Sequence, residues 1–256
     1  MDVSDVIAQA EAQGAIIGVS AILPTGERFS HNGDRRFVAA STVKIAIMIE
    51  LFRQIDAGQL SLEMRHTLRP ADKATGSGIV TNLHDGIELT LGDLAYLMMS
   101  ISDNSSTNML IDYVGQARVN ATMQDLDMAG STLGRRMRGK QAEASEQEDW
   151  AVPADYTRAI AALLDGTAAS AASCAKMLDL LEAQQNDRRI ARHLPRTGRP
   201  RWGSKTGSLP GVTNDVGYVV TERGTAIMAI FCENQSNPHD GERIVGEIAG
   251  ALLSMS

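Results

Sequence analysis

Cysteine is almost absent: Cys174 and Cys232 are the whole supply in 256 residues. Two thiols cannot build a disulfide scaffold, and both sit in apolar surroundings, so buried free thiols are expected. Aromatics make up only 4%, and twelve methionines are the expected gap-fillers of the core. Positive charge is also short. Lys and Arg number 24 against 31 Asp and Glu, a net charge of −7, with no long basic run. That balance argues against nucleic acid as a partner. No apolar run is long enough to span a bilayer, so a membrane partner is not expected either. The opening MDVSDVIAQAEAQG has no basic start, no apolar stretch and no small-residue cleavage site. As written, the chain is expected in the cytoplasm; had an export signal been trimmed, periplasmic or secreted would be the expectation. The five histidines, His31, His66, His84, His193 and His239, are scattered without ligand spacing, so no metal and no cofactor is implied. No G-x-S-x-G elbow accompanies them, which leaves a Ser-His-Asp triad unsupported and His84 a surface residue.

What is present is a globular core. Hydrophobic residues make up 43%, enough for one large domain or two tightly packed lobes. Val3 to Gln13 reads as a short helix stopped by Gly14. Ala15–Leu23 and the stretch ERFSHNGDRRFVAA read as two antiparallel strands joined by a turn at Pro24–Gly26. Val43–Ala57 reads as a buried helix, apolar from Ile45 to Ile49. Helices are also expected within Leu89–Asp103, and over Ser105–Val114, Arg118–Asp127, Pro153–Leu164 and Ser170–Gln184. Arg135–Pro153 lacks an apolar period and reads as a loop. RWGSKTGSLPG reads as turn-rich, Asp215–Thr221 and Thr225–Cys232 as strands, and Asp240–Leu253 as an amphipathic closing helix. Strands at both chain ends and helices between them predict an α+β fold: one antiparallel sheet with flanking helices, and a helical lobe. The boundaries expected are about 1–50 and 190–256 for the α/β lobe and about 51–189 for the helical lobe. A cleft between them is the natural place for a site.

Three short polar groups carry chemistry. Ser41 stands at a helix start, where a serine ordinarily caps exposed N–H groups. Lys44, three residues on, shares its helix face and can turn its amine toward Ser41. A lysine in a dry site loses basicity, and a neutral amine can take the serine proton. The ordinary alternative is a lysine that reaches solvent or pairs with a carboxylate. Ser102-Asp103-Asn104 follows an apolar helix and alone reads as a polar turn. As a functional unit, Ser102 can relay a proton to a leaving nitrogen, Asn104 can orient Lys44 or bind a substrate amide, and Asp103 can hold the turn. Lys205-Thr206-Gly207, followed by Ser208, offers a positive field, two hydroxyls for a carboxylate and a glycine turn that admits a ligand. The glycine spacing of a phosphate loop is missing.

In order, S-x-x-K, S-D-N and K-T-G form the motif set of serine β-lactamases and penicillin-binding proteins. The chain resembles that superfamily from about Gly18 to its last helix, and the motif positions 41, 102 and 205 resemble the class A β-lactamases in particular. The resemblance implies a two-lobe fold with a five-stranded antiparallel sheet. It implies a Ser41 nucleophile, Lys44 as base or relay, and Ser102 passing a proton to the leaving nitrogen. Asn104 would contact a substrate amide, and Lys205, Thr206 and Ser208 would hold a carboxylate. The oxyanion would sit between the backbone N–H of Ser41 and one near Val212 or Thr213. The substrate implied is a small β-lactam or peptide-like amide; the oligomeric state is not implied.

One part of the pattern is absent. Class A enzymes carry a loop E-x-x-L-N whose glutamate positions the deacylating water. Counting back from Pro153, that position falls near Arg136, in GRRMRG. Glu143, Glu146 and Glu148 lie nearer the loop's end and read as a solvated acidic face. Acylation chemistry is therefore intact while deacylation lacks its usual base, a loss on the order of 10²–10⁴ in rate where no substitute exists. Three readings stand: a β-lactamase with slow release, a serine peptidase, amidase or esterase on the same scaffold, and a penicillin-binding protein acylated without turnover.

Overall fold

A computed structural model describes residues 2–255. The chain runs α1 (Val3–Ala12), β1 (Ile16–Ile22), β2 (Arg28–His31), β3 (Phe37–Val38), α2 (Lys44–Asp56), β4 (Arg65–Thr67) and β5 (Glu88–Thr90). It continues with α3 (Leu91–Ser100), α4 (Asn104–Val114), α5 (Gln116–Asp125), β6 (Trp150–Ala151), α6 (Pro153–Leu164) and α7 (Ala171–Glu182). The hairpin strands β7 (Trp202–Leu209), β8 (Val212–Thr221) and β9 (Gly224–Glu233) and the final helix α8 (Pro238–Ser254) close it. A five-stranded antiparallel sheet has the order β2-β1-β9-β8-β7, so both chain ends supply it, as expected.

Alternation along these strands sorts side chains onto two faces. Ile17, Val19 and Ala21 of β1 join Ala226, Met228, Ile230 and Cys232 of β9 beneath α1 and α8. Ala229 and Phe231 of β9 and Val216 and Tyr218 of β8 face the other way, into the core shared with the helical lobe. With both faces covered, the strands read as near-continuous apolar runs. The helix α6 lies on that second face, where Ser20 and Thr157 meet hydroxyl to hydroxyl at 3.0 Å. α2 packs among α4, α5 and α7, and is buried nearly all round. Its internal Glu50 is satisfied by Gln54 Nε2 and Thr122 Oγ1, each at 2.6 Å.

Three expectations change. The stretch after the first turn is not one strand: β2 pairs with β1, whereas β3 leaves the sheet to pair with β6 at Phe37↔Ala151 and Val38↔Trp150. The small hairpin of β4 and β5 lies in a segment with no strand expectation, because its strands are three residues each. RWGSKTGSLPG is mostly strand, not turn. Its threonine, serines and lysine pair along β8 from Trp202↔Val219 to Leu209↔Val212, and only Pro210–Gly211 turn.

One glycine fixes how β3 enters. A Cβ on Gly18 would stand 2.3 Å from the Phe37 ring, itself fully buried against Phe231. Gly18→Ala is expected to destabilise the fold by about 1–3 kcal/mol through overpacking. Urea unfolding of the two proteins measures it, and an unchanged midpoint would show that Phe37 can shift aside.

Candidate active site

Ser41 does not cap α2. It lies within a 3-10 turn over Ala40–Val43 that runs into the helix, and α2 begins with no side-chain cap. Ala40, just before it, takes φ +47°, a left-handed conformation uncommon outside glycine. Ser102 does the same at φ +59°. Two such residues, each costing on the order of 1–3 kcal/mol, flank one cleft, and strain so placed points to function.

Lys44 is fully buried as the first residue of α2. Its Nζ donates to Ser102 O at 2.8 Å, Asn104 Oδ1 at 2.9 Å and Ser102 Oγ at 3.0 Å. Burial holds its pKa well below the usual lysine value, and Lys205 pushes it further down, while Asp103 and Asp149 oppose the shift. The sequence places Lys44 against Ser41; the structure aims its amine at Ser102, which shares a cavity of about 450 Å³ with Ser41. Asp103 holds this turn from below. Its Oδ1 accepts from Ser106 N, and Oδ2 accepts from Ile79 N and Val80 N. Asn104 is buried, with Oδ1 on Lys44 and Nδ2 donating to Thr75 O at 2.9 Å. It is the clamp on Lys44 before it is a substrate contact.

The opposite wall is β7, the free edge of the sheet. Antiparallel ladders turn alternate residues toward the partner strand. The carbonyls of Ser204 and Thr206 accept from Gln184 Nε2 and Lys205 Nζ rather than serving only β8. Ser208 is in phase with them, so its N–H faces the cleft, which Thr206, Ser208 and Ser41 line together. This corrects the oxyanion expectation. Val212 and Thr213 are buried in β8 behind β7, paired with Leu209 and Ser208. Turned to meet its donors, the Gln235 amide oxygen accepts from both their N–H groups. With those two engaged, the candidate N–H groups for an oxyanion are those of Ser41 and Ser208, which line the cleft. Gly207 is not a turn residue. It lets β7 approach the Ser41 turn: a Cβ there would stand 2.9 Å from Ala39 O and 3.2 Å from Thr42 Cγ2.

The whole chain matches one family, described as "Beta-lactamase enzyme family", over residues 2–255. The chain belongs to the beta-lactamase enzyme family. It is similar to the solved beta-lactamase of Sphaerobacter thermophilus, with 53% identity, a TM-score of 0.97, and 99% of this chain and 96% of that one covered. An ancestral class A beta-lactamase matches at 27% identity and TM-score 0.89, with 99% of each chain covered. Beta-lactamase BRO-1 of Moraxella catarrhalis is 24% identical over 90% of this chain and 73% of its own length.

Near Arg136, where the class A resemblance puts a loop glutamate, the side chain that is buried is a methionine. Arg136 is exposed and paired with Asp112, whereas Met137 is buried. Asn108 grips the Met137 backbone with both ends of its amide, accepting from N at 2.8 Å and donating to O at 2.9 Å. The loop glutamates all answer loop cations. Glu143 pairs with Lys140, Glu146 with Arg138, and Glu148 with Arg135 at 2.9 Å. Glu148 is half-buried rather than solvated, and also accepts from Ala142 N and Asp149 N.

Several site residues carried no sequence signal of their own. Arg189 is buried under Ser208, donating to Ser208 Oγ at 2.6 Å and to the carbonyls of Gly207 and Asn214. Only the paired arginines of NDRRIAR, following a helix and preceding KTG, could have flagged it. Asp215 is buried beside Arg189 and Lys205; burial pushes its pKa up. Burial likewise takes Lys205 down to about 7, against the pull of Asp215 and with the push of Arg189.

The clamp on Lys44 is testable by charge. Asn104→Asp sets a carboxylate against the amine, favours its charged form and raises its pKa. The fraction of neutral base at pH 7 falls, so the acidic limb of the acylation rate is expected to move to higher pH. Stopped-flow acylation with a chromogenic cephalosporin across pH measures this, and an unmoved limb would remove Lys44 from the proton path.

Proposed function

We propose that the protein hydrolyses β-lactams through an acyl-enzyme on Ser41. The observation that carries this reading is the amine of Lys44, dehydrated and fixed between Ser102 and Asn104 at the cleft that Ser41 lines. In the uncharged state it is a base with nowhere to turn but the hydroxyls beside it.

The substrate carboxylate would lie along β7, against Thr206 and Ser208, in the field of Lys205 and Arg189. The lactam oxygen would enter the N–H pair of Ser41 and Ser208. Ser41 Oγ then bonds to the carbonyl carbon and loses its proton to Lys44. The carbon–nitrogen bond of the ring breaks, and the nitrogen takes a proton through the Ser102 hydroxyl. The result is an ester on Ser41 and a neutral Lys44. Water must then break that ester, bonding to the same carbon and returning a hydrogen to Ser41 Oγ.

Benzylpenicillin mixed with the protein is expected to give a transient adduct of one penicillin mass on Ser41, together with ring-opened product. Intact-mass spectrometry over time measures both, with Ser41→Ala expected to show neither. An adduct that never declines would favour a trap over a hydrolase, and no adduct would end the β-lactam reading. Lys205→Ala is expected to raise KM about 10–100-fold, because it removes the buried positive field behind β7 on which a substrate carboxylate depends.

A further inference from the structure

Water release of the acyl group needs a base, and the inward position on the loop is Met137. Beside it, however, a narrow pocket runs from Ser41 to the carboxylate of Asp149. Ser41, Asn104, Met137, Asp149 and Ser208 line it. Its cavity is about 20 Å³, room for a single water, and its polar side chains give that water partners.

We propose that Asp149 is the base that activates the deacylating water, in place of a loop glutamate. This rests on the hydrolase reading above. Asp149 sits where it can serve. Its backbone carbonyl accepts from Ala39 N at 2.7 Å, which ties it to the turn that carries Ser41. Its Oδ1 accepts from Gly134 N at 2.8 Å and Arg135 N at 3.1 Å, which fixes the carboxyl plane. Among the described residues no donor is assigned to Oδ2, which leaves that oxygen for the pocket. The side chain is 2% exposed. Burial pushes its pKa up to about 7, only partly countered by the two N–H groups and Arg135. A carboxylate of that basicity is matched to proton transfer near neutrality.

The charged and titratable groups around Asp149 come from three elements. The loop supplies Arg135, Arg138, Lys140 and Glu148, α2 supplies Lys44, and α6 supplies Tyr156. The step balances without a co-reactant other than water. One water proton passes to Asp149 Oδ2 as the water oxygen bonds to the acyl carbon. The bond from that carbon to Ser41 Oγ then breaks, and Oγ takes a proton through Lys44, which Asp149 replenishes. One water is consumed, and every side chain ends as it began.

Asp149→Asn is the direct test, because an amide oxygen can still accept from Gly134 and Arg135. Single-turnover acylation by benzylpenicillin is expected within about twofold of the parent, while the acyl-enzyme lives on the order of 100-fold longer. In the parent, acyl release should rise with pH through about 7 and then level, since only ionised Asp149 accepts a proton. The variant should lose that rise, a change that mere loosening of the loop would not produce. Adducts that form on both proteins and decay at one rate would overturn the assignment to Asp149 alone. No adduct on the parent would defeat the hydrolase reading and this proposal with it. Should the variant not fold, the parent's release profile decides, and a flat profile between about pH 5 and pH 9 overturns the proposal.

Discussion

The site depends on one buried amine and three oxygens. Lys44 has lost all contact with water, and its Nζ meets Ser102 O, Ser102 Oγ and Asn104 Oδ1 at hydrogen-bond distance. An ammonium buried without partners would neutralise or unfold its surroundings. Three acceptors make the position tolerable, and they also leave it balanced between charge states. Much of the local architecture follows from supplying them. Ser102 accepts a left-handed backbone so that its carbonyl and hydroxyl both face the amine. Asp103 locks that conformation by taking three backbone N–H groups. Asn104 is held by Thr75 O at its other end, so the acceptor cannot rotate away.

The second wall obeys a different constraint. An edge strand exposes backbone donors, which is ordinarily a liability. Here β7 keeps its outer edge open over the cleft, and Gly207 removes the Cβ that would hold it off the Ser41 turn. The positive groups behind it, Lys205 and Arg189, are buried and share Asp215 as counter-charge. They project a field without offering flexible side chains to the substrate. The cleft is thus rigid on both sides: a saturated lysine on the helical wall, and a backbone edge on the sheet wall.

The division between what the sequence reveals and what it hides is physical. The strands β8 and β9 and the helices α2 and α6 are legible because long apolar runs and a leading proline carry their own signal. The three motifs are legible because each pairs a nucleophile, relay or cation with a fixed neighbour. β7 is misread because its serines, threonine, lysine and glycines have turn chemistry, while its strand character comes from pairing with β8. The oxyanion strand is misplaced for the same reason: a turn at KTG would move the free N–H groups past it, whereas a strand puts one at Ser208. Asp149 and Arg189 are invisible as site residues because their role arises from long-range folding. Nothing in EDWAVP, and no more than a pair of arginines in NDRRIAR, hints that a charge there is buried.

The loop from Gly134 to Asp149 shows how a scaffold can keep its shape while its chemistry moves. Asn108 clamps the loop backbone at Met137, whose side chain is buried. The carboxylates that remain are sorted by their partners. Glu148 is committed to Arg135 and two backbone N–H groups. Glu143 and Glu146 face cations near the surface. Asp149 is the exception by position: it is buried, its Oδ1 takes two backbone N–H groups, and it alone of the four lines the pocket that reaches Ser41. A carboxylate with four strong donors is a poor base, since each bond favours the ion over the acid. One with half its lone pairs unanswered, buried away from bulk solvent, keeps its appetite for a proton. Of the four loop carboxylates, Asp149 alone combines burial with a place on the pocket that Ser41 lines, which is what the proposed role requires.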